Sequence, residues 1–128
     1  MAPVGRWLSR TEVDEYDHIP RSVAQRARLH RVRVLPPGSC GMTLGHQVLL
    51  RRGHEDDRKL VAHELVHVAQ YADRGRLRFL ARYLTDYARN LARLRDHRRA
   101  YLAIPAEVEA RAGTADWLRA HPEVLGGA

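Results

Sequence analysis

Apolar residues recur along this chain with two different periods, and the change from one to the other lays out its elements. His30-Arg-Val-Arg-Val-Leu35 alternates apolar and basic residues, the period of a half-buried strand. Pro36-Pro37-Gly38-Ser39 breaks that run. Met42 to Arg51 reads as a second strand, closed by Gly53, so a short strand pair leads directly into a long apolar segment. From Leu60 to Ala69 the residues are almost all apolar, which predicts a buried helix. Asp56 and Asp57 stand before it as N-cap candidates, and Gly75 stands beyond it as a stop.

After Gly75 the period becomes unmistakably helical. Leu77, Leu80, Leu84, Tyr87, Leu91 and Leu94 recur at three and four, an apolar stripe along a helix running to about Arg98. The arginines between Arg76 and Arg99 lie mostly off that stripe and read as a solvated face. Pro105 opens a further helix, Ala106 to about Leu118. Upstream, Pro20 followed by Arg21 to Leu29 fits a helix with proline at its first position. Thr11-Glu-Val-Asp-Glu15 predicts a short helical turn anchored by Trp7, Leu8 and Val13. His121-Pro122 and Gly126-Gly127 read as a fraying end. The pattern therefore predicts an α+β, mostly helical single domain over residues 1–128, with a short β-hairpin before the central helix.

Composition narrows the partners. At 128 residues the chain is long enough for one real core. No apolar run is long enough for a transmembrane helix, so no membrane partner is expected. Met1 to Arg10 lacks an apolar signal core, which predicts a cytoplasmic chain as encoded. A single cysteine, Cys40, excludes an intrachain disulfide framework and the cysteine-rich zinc fingers. The net charge of +7 comes almost wholly from arginine, Lys59 being the one lysine. That charge raises nucleic acid as a partner, yet no helix-turn-helix, RNP-type strand or finger spacing accompanies it, and nucleic acid is not expected to be the main partner.

The predicted central helix carries the chemistry. His63-Glu64-Leu65-Val66-His67 is an H-E-x-x-H sequence. Residues four apart share a helix face, so two imidazoles at this spacing can close on one metal ion. Glu64, to the side of that pair, is placed to take a proton from an activated water, as a general base does in metal-assisted hydrolysis. Two histidines and a glutamate inside an apolar helix are costly to bury unless something pairs them, and a metal ion would.

A hydrolytic zinc site usually takes three protein ligands and leaves one position open. Glu107 and Glu109 are two apart on the later helix and point different ways, so one of them at most can reach the metal. His97 would complete a three-histidine site, His46 and His54 precede the motif, and Cys40 is a candidate fourth ligand that would hold the site latent.

Gly41 to Leu50, a spacer, and Leu60 to Gln70 together resemble a domain-of-unknown-function family of zinc metallopeptidase-like domains associated with extracellular contractile injection systems. The likeness covers about residues 30–73 and recurs more weakly in Ile104 to Ala110. The order of hairpin, motif helix and later glutamate-bearing helix is also similar to the gluzincin group. The resemblance implies a gluzincin-like minimal metallopeptidase with Zn²⁺ held by His63, His67 and Glu107, favouring Glu107 over Glu109. Glu64 would be its general base and a peptide or protein its substrate. It implies an injection-system or toxin context and export through such a system. Met42–Leu50 would then be an edge strand pairing with extended peptide. Arg111 stands where gluzincins commonly carry an acidic or amide residue that supports a ligand histidine. Tyr101 and His97 fall between the helices as candidates to stabilise an oxyanion.

Two other readings stay open. One is a module that holds zinc without cleaving anything. The other is nucleic-acid binding through Arg89, Arg93 and Arg95.

Overall fold

The computed structural model describes residues 5–126. Strand β1 (Arg6–Trp7) leads to two short helices, α1 (Arg10–Glu15) and α2 (Arg21–Arg26). Strands β2 (Arg28–Val32), β3 (Gly41–Leu44) and β4 (Gln47–Arg51) come next, then helix α3 (Arg58–Arg74). Helices α4 (Arg76–Leu94), α5 (His97–Leu102), α6 (Pro105–Ala120) and α7 (Glu123–Gly126) complete the chain. The fold is α+β and mostly helical, and a β-hairpin immediately precedes the motif helix. No helix of the described residues is long and apolar enough to cross a membrane. Met1 to Val4 and Gly127, on which the signal-core and fraying-end readings partly rest, lie outside the described residues.

The sheet has the order β1-β2-β4-β3. Its hairpin is not the predicted pair. Met42–Arg51 does not run as one strand: Gly45, at φ +63°, and His46 form a two-residue turn between the paired residues Leu44 and Gln47. The earlier strand starts at Arg28 and pairs with β4 in parallel, leaving the hairpin to β3 and β4. It ends at Val32, which pairs with Arg51, the last residue of β4, and Val34 is exposed. The edge strand is therefore Gly41–Leu44, while Gln47–Arg51 is interior.

Other details differ from expectation. Pro20 caps α2 from outside rather than opening it, and that helix ends at Arg26 so that buried Ala27 and Leu29 can enter the sheet. Trp7 does not anchor the N-terminal segment; it is exposed under the Arg28 guanidinium, while Leu8 and Val13 are buried. Helix α4 stops at Leu94 because Arg95 takes a left-handed conformation, and Asp96 then caps α5 through the Arg99 N–H.

One core joins the sheet, α1 and α2 to α3 and α6. Helix α3 crosses it, capped at its start by Asp57, which accepts from the Leu60 N–H. Its Val61, Ala62, Leu65 and Val68 meet Leu29, Val48 and Leu50 of the sheet and Ala110 and Trp117 of α6 in that core. His121 is no part of a frayed end: its ring stacks on Trp117 and its Nδ1 bonds the Trp117 carbonyl. A smaller cluster of Tyr71, Phe79, Ile104 and Ala106 holds the first turns of α4 against the start of α6.

Candidate metal centre

Helix α3 puts His63 and His67 one turn apart on the face toward α6, where Glu107 sits in the first turn. Pro105 opens α6 without needing an N–H partner, which sets Glu107 close to the helix start. His63 Nε2 and His67 Nε2 lie 3.0 and 3.1 Å from one oxygen, Glu107 Oε1. One ligand atom from each of the three lies within 4.8 Å of the others, so these residues could hold a metal ion. The second carboxylate oxygen of Glu107 accepts a 2.5 Å hydrogen bond from the Tyr83 hydroxyl on α4.

The hydrogen bonds behind His67 show why a cation fits. Gln70 donates its amide N–H groups to the Ala106 carbonyl (3.0 Å) and to Glu109 Oε1 (2.9 Å). Its own carbonyl therefore faces His67 and accepts from Nδ1–H at 2.7 Å. A neutral His67 then turns the lone pair of Nε2 toward Glu107, and two acceptors confront each other. Only a proton or a metal cation between them relieves this. Metal–ligand bonds of about 2.0–2.2 Å in a tetrahedral shell set neighbouring ligand atoms roughly 3–3.5 Å apart, close to the spacing seen.

The charges follow the same logic. Burial opposes ionisation of Glu107, but the two imidazoles and the Tyr83 hydroxyl overcome it and hold the carboxyl far below the usual carboxylate range. Burial opposes charge on His67 too, yet Glu107 outweighs it and the imidazole is more basic than usual. Burial also pushes the Tyr83 hydroxyl upward, with Glu107 adding to the effect, so it remains a donor.

Glu64 lies outside the trio, only 5% exposed. Its Oε1 accepts from the Thr43 hydroxyl at 2.9 Å, which ties it to the edge strand β3. Burial raises its carboxyl above the ordinary range, and His67 and His63 offset this only in part. Gly41 of the same strand packs so closely that a Cβ would lie 3.2 Å from the Glu64 Cγ.

The other candidates lie elsewhere. Glu109 is turned toward Gln70 and Arg74. Arg111 donates to the Leu102 carbonyl, so support for His67 comes from Gln70, on α3 itself. His97 bonds the Tyr87 hydroxyl at the start of α5, and His46 occupies the hairpin turn. Neither they, His54 nor Cys40 joins the trio among the described residues. Tyr101 is partly exposed; burial, then the charges of Glu107 and Glu64, keep its hydroxyl protonated.

Sequence reading passed over Gln70, Tyr83, Thr43 and Gly41. Gln70 alone carried a local signal, a polar residue three positions after His67 and so on its face. Gln70→Leu removes the acceptor that fixes the His67 ring. Metal affinity should fall about 10- to 100-fold in a chelator competition. Unchanged affinity would mean the bond does not orient the ligand.

No curated protein and no solved structure matches the chain. Residues 37–75 match the family model of the eCIS core domain, a stretch that holds the β3–β4 hairpin and α3 with both motif histidines, and this match associates the chain with extracellular contractile injection systems.

Proposed function

We propose that the protein is a zinc-dependent metallopeptidase working in a contractile-injection-system context. The carrying observation is the convergence of His63, His67 and Glu107 on one point, with Glu64 buried beside them on the motif helix. Those three residues would hold the ion. Zinc bound there supplies Lewis acidity, lowering the pKa of water and polarising a carbonyl. Glu64, made more basic by burial, takes the proton of the attacking water and passes it to the leaving amine. The Thr43 hydroxyl orients its carboxylate for that transfer. Tyr101, protonated and partly exposed, would donate to the oxygen on which negative charge develops. Extended substrate would lie along the edge strand β3, whose free side offers backbone partners.

The burial of Glu64 also favours a second reading, a zinc-holding module that binds proteins without cutting them. One experiment separates the two. Titration with Zn²⁺ should saturate at about one equivalent per chain. The loaded protein should then cleave members of a peptide library, lose that activity to a chelator and regain it with added zinc. Full zinc occupancy with an intact library would decide for the non-cleaving module.

A further inference from the structure

Helix α4 carries a second apolar face that the other described residues leave exposed. At 3.6 residues per turn, Leu77, Ala81, Leu84, Ala88, Leu91 and Ala92 fall within a strip about 100° wide. The strip is turned away from Phe79, Tyr83 and Tyr87, which face the smaller core. All six of its residues are exposed, and Leu77, Leu84 and Leu91 are 83%, 55% and 37% exposed. Single exposed leucines need no explanation. Three leucines seven apart, with alanine four residues after the first two, are the seam spacing of a helix that packs on another helix.

Charge identifies what fits there. Along one margin of the strip run Arg78, Arg82, Arg89 and Arg93. Arg82 is paired with Asp86, whereas the other three have no carboxylate partner among the described residues. We propose that α4 is the docking face for an acidic amphipathic helix of a partner protein. Its apolar stripe seats on Leu77, Leu84 and Leu91, and its carboxylates meet Arg78, Arg89 and Arg93. A second copy laid antiparallel would set these arginines against their own counterparts, on chains that each carry +7. An anionic lipid surface would also take leucines flanked by arginines, but it presents no side chains to interlock with the strip. The strip's alanines leave the recesses that receive side chains of a facing helix. Nucleic acid would use the arginines and leave the leucines exposed.

The test uses the full chain and two synthetic heptad peptides, both with Leu at a and d, one with Glu and one with Lys at e and g. The chain should bind the Glu peptide and not the Lys peptide. Leu84→Glu, at an exposed position, should keep the circular dichroism spectrum and weaken binding about 10- to 100-fold, the worth of one buried leucine. Replacing Arg78, Arg89 and Arg93 together by Glu should reverse the preference to the Lys peptide. Binding to neither peptide, equal binding to both, or a Leu84→Glu variant that still binds fully would overturn the proposal. So would tighter binding of the chain to phosphatidylglycerol vesicles or to single-stranded DNA, or Leu84-dependent dimerisation in sedimentation.

Discussion

Glu64→Gln should leave about one equivalent of zinc bound while peptide hydrolysis falls about 10²- to 10⁴-fold. The variant removes the basic oxygen and little else. Gln has the shape of Glu, its side-chain carbonyl can still accept from Thr43, and His63, His67 and Glu107 are untouched. Metal binding and hydrolysis therefore part company, which a merely structural role for Glu64 would not produce. Binding of uncleaved peptide should survive, because the edge strand β3 is unaltered. Zinc content, peptide affinity and cleavage rate measured on one preparation make the comparison. Hydrolysis at the parental rate would sink the mechanism.

The motif was legible because everything it needs is local. Helical spacing alone places His63 and His67 on one face, and apolar Leu65, Val66 and Val68 bury that helix. The hairpin was half legible. Gly45-His46 sits inside an apolar run with no proline or Asn-Gly signal, so the strand looked continuous until the left-handed Gly45 divided it. The stripe on α4 is correct as a period, but only part of it is packed against the core. Periodicity shows which residues share a side of a helix, not which neighbour covers them, and Leu77, Leu84 and Leu91 are left exposed. The support of His67 depends on Gln70 meeting Ala106 and Glu109 across two helices, a contact that no spacing encodes. Arg111 misled for the same reason, since the supporting amide comes from the motif helix and not from α6.

Trp117→Ala should cost about 3–5 kcal/mol of stability and lower the melting temperature by on the order of 10–20 °C. Trp117 is among the largest fully enclosed side chains, 2% exposed. Its ring lies between Tyr16 and His121, with centroid separations of 5.2 and 5.0 Å, and close to His18. Its indole N–H donates to the Glu15 carbonyl at 2.9 Å. Glu15 in turn pairs with Arg58, the first residue of the motif helix. The tryptophan thus ties α6, α1 and α3 together at the end of α6 opposite Glu107. Truncation opens a cavity and leaves the half-buried Glu15 carbonyl without its donor, two separate penalties. Trp117→Phe keeps most of the packing and loses only the hydrogen bond, so it should cost about 1–3 kcal/mol. The two variants also test how far the core sets the metal centre. Glu107 reaches His63 and His67 only while α6 is seated on α3, so Trp117→Ala should weaken zinc binding although the residue touches no ligand. Zinc should in return raise the melting temperature of both variants, because it binds only the seated arrangement. Thermal unfolding with and without zinc reads both effects, and a Trp117→Ala protein that melts like the parent would remove this residue from the account of the fold.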